Sequence, residues 1–398
     1  MNNERPIIRL KPKSDSRRLR RGFPWVYDNE LVTDRRTRAL TAGSMATLED
    51  AERKPIATVT VNPASKIFAR LMDRDPDAMI DRDWIAARLE RALTTRTALF
   101  DAPYYRLIHA EADGFPGVIV DRYGDAAVIQ PNAAWAEVRL EEIADVLVEV
   151  TGVRAIIKSG TGRARGLEGL DDASGLLRGS IKAPVPVPMN GATYMADLLG
   201  GQKTGLFYDQ RPNHAFVARL AKDTDVLDVF SHVGGFALSA LAGGASSALS
   251  IDGSNPALTL AWAGAKATGV ADRFETRTAD AFEAMTTLGE EGRRFGTVIC
   301  DPPAFAPHKQ ARDAGLRAYE KVARLGATLV TPDGTLTLCS CSHAADLEQF
   351  RAACLRGIGR AARSCQILRT GFAGPDHPQH PHLAESGYLK AITFRLLG

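Results

Sequence analysis

The stretch at residues 226–236, VLDVFSHVGGF, constrains the fold of this chain more than any other. Val226, Leu227, Val229 and Phe230 form an apolar run broken only by Asp228, which predicts a strand covered on both faces, because half-exposed strands alternate in polarity. Gly234 and Gly235 then allow a tight turn and close approach of a ligand before a helix that begins near Phe236. A second apolar strand at residues 248–251 ends in Asp252, 24 residues after Asp228, about where an acid reaches ribose hydroxyls in such folds. The chain lacks both G-x-G-x-x-G and G-x-x-x-x-G-K-S/T, so a nucleoside ligand without a phosphate fits better than a dinucleotide, and S-adenosylmethionine is the common one.

The 398 residues are enough for two or three domains. No apolar run approaches the 18 residues or so of a membrane span, and the opening MNNERPIIRLKPK has no apolar core of a secretory signal. A cytoplasmic protein without a membrane partner is expected. The cysteines, Cys300, Cys339, Cys341, Cys354 and Cys365, have no C-x-x-C spacing, so no metal site is expected. Charge is uneven. Residues 1–38 carry eleven Lys/Arg against five acids, a surplus of +6 in a chain whose total is +3. Such a concentration of positive charge suits a polyanion, with RNA the obvious candidate. Arg17, Arg18, Arg20 and Arg21, followed by Trp25, are the candidate RNA contacts, since aromatic rings beside basic residues suit stacking on bases.

The first 75 residues contain short strand-like pieces between Pro, Gly and Asp, which predicts a small β-barrel. Residues 76–188 read as a middle α+β domain, with helical periodicity from Arg82 and again through Leu140, Ile143 and Leu147. His109, Glu111 and Asp113 fall on one strand face by alternation, and the turn at Gly114 favours a structural role for them. Pro184, Pro186 and Pro188 stiffen a segment read as the join to a C-terminal domain at 189–398. There, Lys203, Thr204, Asp209, Gln210 and Arg211 precede the organising strand and are candidate pocket residues, with Lys203 also a candidate RNA contact. Strands then alternate with helices, which predicts an α/β fold with a parallel sheet flanked by helices, and a last strand inserted antiparallel.

Ligands of such sheets sit beyond the carboxyl ends of the strands. Asp280 follows the third strand, a place from which it could accept from an adenine amino group. Asp301, in D-P-P-A-F, follows the fourth, and Cys341, in C-S-C-S, follows the fifth. A thiolate adding to C6 of a pyrimidine makes C5 nucleophilic, and a nearby acid can hold the ring nitrogen or exocyclic amine; this pair suits methylation of a cytosine at C5. Prolines between His377, His380 and His382 make that loop rigid and argue against a metal.

Together R-x-x-x-x-F-P-W-V-Y (from Arg18), A-E-x-D-G-x-P-G-x-x-V-D-R-Y-G (from Ala110), G-x-K-T-G-x-F-x-D-Q-R (from Gly201), the V-L-D-x-F turn, D-P-P-x-F, S-C-S and the closing D-H-P…Y-L-K resemble the bacterial large-subunit ribosomal RNA cytosine-C5 methyltransferases of the RlmI type. The resemblance covers nearly the whole chain. It implies an N-terminal PUA domain, a middle domain and a C-terminal Rossmann-like class I methyltransferase. It also implies Cys341 as nucleophile, Asp301 as the acid at the base, and the glycine turn (Gly234, Gly235), Asp252 and Asp280 at the cofactor; Asp228 and Phe230 of the organising strand, Asp301, and Gln210 and Arg211 before that strand are further candidate contacts to S-adenosylmethionine. Ribosomal RNA is the implied partner, and a homodimer is allowed for. Other RNA cytosine-C5 methyltransferases carry a second cysteine where this chain has Ala304, which leaves the acceptor of the C5 proton unassigned. Two other readings stand beside this one: methylation of an adenine N6 or guanine N2 amino group, and a non-catalytic ribosome-assembly factor that binds RNA and the cofactor.

Overall fold

The structure, a computed structural model, describes residues 5–200 and 205–398. Two compact units divide it. One holds the chain up to Lys182 with Leu198–Gly205 and Asp376–Ser386; the other holds Ala183–Asp197, Leu206–Pro375 and Gly387–Gly398.

The first unit contains two sheets, each with its own core. In the first sheet the strands Ile7–Arg9, Trp25–Tyr27, Met45–Glu49, Pro55–Val61 and Ile67–Asp73 lie in the spatial order first, third, fourth, fifth, second. Ala46, Leu48, Val59 and Val61 share a core with Ile8, Val26 and Phe68. In the second, Tyr104–His109, Val118–Tyr123, Ala126–Pro131, Ala155–Lys158 and Gly175–Arg178 pair in sequence order. Its helix Arg82–Leu99 is started by the Asp81 side chain, which accepts from the Trp84 N–H; its helix Leu140–Thr151 is stopped by Gly152 at φ 71°. Ile85 and Leu89 of one helix share a core with Ile143 and Leu147 of the other.

Strand alternation does not carry through His109, Glu111 and Asp113, because the strand ends at His109 and Ala110–Asp113 is a 3-10 turn. Asp113 accepts from the Arg96 guanidinium (2.7 Å) and the His109 N–H (2.6 Å), while Glu111 accepts from Arg70 (2.7 Å). These are structural tasks. Asp376 and His377 are buried in the same unit, where the Asp376 carboxylate takes the Arg106 N–H (3.1 Å) and lies 3.0 Å from His377 Nδ1.

The proline segment is not an isolated join. Val185–Met189 pairs with Ala192–Ala196 in a hairpin whose turn, Asn190-Gly191, takes φ of 53° and 77°. That Asn-Gly pair is the turn chemistry that two-residue hairpins favour. The hairpin belongs to the second unit, where Thr193 N–H donates to Thr268 Oγ1.

The second unit is built on a seven-stranded sheet: β1 (Asp225–Val229), β2 (Ser247–Asp252), β3 (Phe274–Thr278), β4 (Phe295–Cys300), β5 (Val330–Ser340), β6 (Ser364–Gly371) and β7 (Lys390–Leu397). Its order is β3-β2-β1-β4-β5-β7-β6, parallel through β5, with β7 antiparallel to both neighbours as the sequence predicts. The helices are α1 (Arg211–Leu220), α2 (Gly235–Ala242), α3 (Asn255–Thr268), α4 (Ala281–Glu290), α5 (Arg312–Leu329) and α6 (Leu347–Arg360). Leu227, Val229, Ile251, Val298 and Leu336 are fully or nearly fully buried in one core, consistent with strands covered on both faces. Order reverses between β1 and β4, so the tips of β1, β2, β4 and β5 form the crevice where a ligand is expected. Among the described residues no helix is long and apolar enough to cross a membrane.

Candidate functional site

The loop leaving β1 is under backbone strain. Phe230 and His232 take φ of 62° and 51°, and Gly234 takes 78°, so three of five consecutive residues are left-handed and only one is glycine. Strain of this kind costs about 1–3 kcal/mol per residue and survives only where neighbours enforce it. Here they do: Asp252 Oδ2 accepts from His232 N–H (2.8 Å), Ser231 N–H donates to Ile251 O (3.1 Å), and Asp301 N–H donates to Val229 O (3.1 Å). The loop is thereby tied to the tips of β2 and β4. A Cβ on Gly235 would come within 2.7 Å of the His214 ring. That ring is buried and lies 4.4 Å, centroid to centroid, from Phe236.

Asp228 is fully buried, with Oδ2 accepting from Ala237 N–H at 3.0 Å and Oδ1 without a partner among the described residues. Burial pushes its carboxyl up to about 8; the Ala237 N–H pulls the other way, and the charges of Asp301 and Asp252 add to the rise. Burial also raises Asp301 to about 7, reinforced by Asp209 and opposed by the Gln210 amide, whose Nε2 donates to Asp301 Oδ2 at 2.9 Å. Gln210 is fixed in turn by its Oε1, which accepts from Asn213 (2.7 Å). Asp209 accepts from Tyr388 Oη (2.6 Å) and leaves its other oxygen unpaired among the described residues.

Buried carboxyls held close together and short of hydrogen bonds suit a ligand that brings cations and hydroxyls. S-adenosylmethionine has both, in its sulfonium, its ammonium and its ribose, so the orphan oxygen of Asp228, the glycine turn and Asp252 fit that cofactor. Arg211 opens α1 with its guanidinium carbon 5.2 Å above the Tyr208 ring. Asp280 is exposed and caps α4, its Oδ1 accepting from the N–H groups of Phe282 and Glu283. Lys203 and Thr204 lie outside the described residues.

At the tip of β5, Ser340 and Ser342 are fully buried on either side of a half-exposed Cys341. Ser340 Oγ donates to Tyr319 Oη (2.9 Å), Tyr319 Oη and Ser342 Oγ share a bond of 2.8 Å, and Ala306 N–H donates to Ser342 Oγ (3.0 Å). The two serines therefore lock the cysteine segment to α5 and to the loop after Asp301. The sequence shows Ser340 and Ser342 as part of the S-C-S motif but gives no sign of Tyr319, to which both are bonded. Cys339 is 1% exposed with its thiol pushed well above the usual range by burial and by Asp301. Of the two cysteines at this strand end, Cys341 is the more exposed. Parallel pairing of Cys300 with Leu338 puts Asp301 and Cys341 on neighbouring strand tips.

In the first unit, Arg17 and Arg21 are exposed on the short helix Ser16–Arg20 and its cap. Arg18 pairs with Glu30 (2.5 Å) and lies over Phe23, while Arg20 pairs with Asp50 (2.7 Å). Trp25 is half-buried, its indole N–H donating to Glu111 at 2.8 Å.

Comparison with known proteins matches residues 8–74 to a PUA-like domain and residues 166–395 to the S-adenosylmethionine-dependent methyltransferases. A Vibrio cholerae protein named ribosomal RNA large subunit methyltransferase I is 32% identical over 392 residues, 97% of this chain and 98% of its own. One of the same name from Alteromonas mediterranea is 33% identical, covering 96% and 97%, and a Deinococcus radiodurans ribosomal RNA large subunit methyltransferase is 33% identical, covering 98% of each. Two solved structures, one described as a SAM-dependent methyltransferase from Streptococcus mutans and one as a methyltransferase complexed with SAH, share the fold. Their TM-scores are 0.81 and 0.82 at 19% identity, over 98% of this chain and 100% and 99% of theirs.

Proposed function

The chain belongs to the S-adenosylmethionine-dependent methyltransferases that carry a PUA-like domain, and from that premise we propose that it methylates C5 of a cytosine in large-subunit ribosomal RNA through a covalent adduct on Cys341. The observation that carries this reading is a half-exposed thiol at the tip of β5, braced by two buried serines, next to the strand tip that bears Asp301. The bound cofactor supplies an electrophilic methyl group.

Cys341 adds as thiolate to C6, and the C5–C6 π electrons shift toward N3 as that bond forms. Asp301, with its carboxyl raised to about 7, is partly protonated near neutrality and can donate a proton to N3, which removes the developing negative charge. Gln210 fixes the orientation of that carboxyl. Once C5 carries the methyl group, loss of its proton restores the C5–C6 double bond and expels the thiolate, and N3 returns its proton to the Asp301 carboxylate. Asp228 and Asp252 hold the cofactor, and the exposed Arg17 and Arg21 of the short N-terminal helix and its cap hold RNA.

The amino-group alternative draws on an aromatic directly after D-P-P that stacks on the base. Here Ala304 intervenes, and the Phe305 ring packs 5.1 Å from Tyr319 and 6.3 Å from Phe230. Both distances favour a structural ring. The test is to incubate the protein with labelled S-adenosylmethionine and undermodified ribosomal RNA, then identify the nucleoside by mass spectrometry. Methylcytidine from the wild type and none from Cys341→Ala is expected. Methyladenosine or methylguanosine would establish the alternative, and no transfer the non-catalytic reading.

A further inference from the structure

Lys390 begins β7 directly opposite Ser340, the last residue of β5, and it is only 4% exposed. Lysine is seldom so buried unless its charge is satisfied. Its Nζ donates to Ser342 O and to Ala345 O, both at 2.7 Å. Those two carbonyls bound the turn that carries the chain away from Cys341 toward α6. An ammonium has three N–H donors, so the turn takes two of them. The charged groups that face it are Cys341 and Asp346, and Tyr319 faces the same thiol from α5.

We infer that Lys390 is a positioning residue for Cys341: its ammonium pins the 342–345 turn from beneath and favours the thiolate form of the neighbouring cysteine. A cation beside a thiol lowers its pKa, and each unit multiplies the thiolate fraction near neutrality about tenfold. Burial brings the lysine itself down to about 8, opposed by Cys341 and Asp346, so its charge is present at pH 7 and fades as pH rises through 8. The turn that positions the thiol and the charge that activates it thus depend on one side chain. This inference deepens the proposed role of Cys341 and rests on it for its catalytic meaning.

The test measures iodoacetamide alkylation of the full-length protein against pH, taking as signal the part lost in Cys341→Ala. In the wild type the midpoint is expected below the value of about 8.5 for an unperturbed thiol. In Lys390→Met it should rise by about one unit, slowing alkylation at pH 7 about tenfold, and Lys390→Arg should recover part of that rate. Binding of S-adenosylmethionine, measured in parallel, identifies variants that remain folded. If Lys390→Met does not fold, Lys390→Gln takes its place, and the wild-type midpoint decides by itself if neither does. A wild-type midpoint at or above 8.5, or one that stays put in an uncharged variant that still binds cofactor, overturns the inference. Methylcytidine formation that persists in Cys341→Ala would instead defeat the nucleophile and leave the lysine–thiol relation intact.

Discussion

At the scale of residues the site is a set of carboxyls kept from water. Asp228 and Asp301 are raised to about 8 and about 7, so both are largely protonated at pH 6 and ionise between 7 and 8.5. A cationic cofactor held by Asp228 favours the ionised form of that carboxyl. S-adenosylmethionine should therefore bind more tightly at pH 8.5 than at pH 6 and release protons as it does so, which calorimetry in buffers of different ionisation enthalpy would read. Stability of the unliganded protein should run the other way. A carboxyl raised in the folded state stabilises fully below its unfolded value near 3.8, and that contribution is lost as pH rises to about 8. His214, lowered to about 3 chiefly by burial, acts oppositely up to about 6.5. Comparison with Asp228→Asn isolates the carboxyl: the urea midpoint of the wild type should fall relative to that variant between pH 5 and pH 8. Gly235→Ala should cost about 1–3 kcal/mol and weaken cofactor binding, because its Cβ meets a His214 ring that is buried against Phe236. Sequence exposed Asp301 and Cys341 because each ends an apolar run. The partners that tune them, Gln210, Asp209, Tyr319 and Lys390, lie tens of residues away and become neighbours only through sheet order.

At the scale of elements, strands with strong apolar runs were legible and weak ones were not. β7 inserts antiparallel as expected. β5 begins at Val330 and runs through Pro332 and Asp333, residues that signal a turn in a sequence. β6 went unread because its side chains are mostly exposed or half-buried on an edge, leaving little apolar pattern. The hairpin at 185–196 was hidden by its prolines, although Asn190-Gly191 marked it. α5 and α6 approach closely at Gly357, where a Cβ would lie 2.3 Å from Glu320 O and 2.7 Å from Ala323 Cβ. Gly357→Ala should force these helices apart and lower stability by about 1–3 kcal/mol in a denaturant titration. Since α5 also carries Tyr319, the same change should reduce methyl transfer more than cofactor binding.

At the scale of the molecule, a PUA-like sheet with an excess of positive charge and a methyltransferase sheet share one chain. The arginine cluster read from sequence separates into two kinds. Exposed Arg17 and Arg21 suit phosphate contacts, and replacing either by alanine should weaken binding to ribosomal RNA and reduce the slope of log affinity against log salt by about one. Arg18 is already committed to Glu30 and Phe23, so Arg18→Ala should cost up to about 1 kcal/mol of stability and change the salt slope less. The covalent step at Cys341 is the central claim, and it has a direct test. A fluorine at C5 cannot leave as a proton does, so ribosomal RNA containing 5-fluorocytidine should trap the protein after methyl transfer, and peptide mass spectrometry should find the RNA fragment on Cys341. Methyl transfer to normal RNA with no such adduct, or an adduct on another residue, would contradict the mechanism.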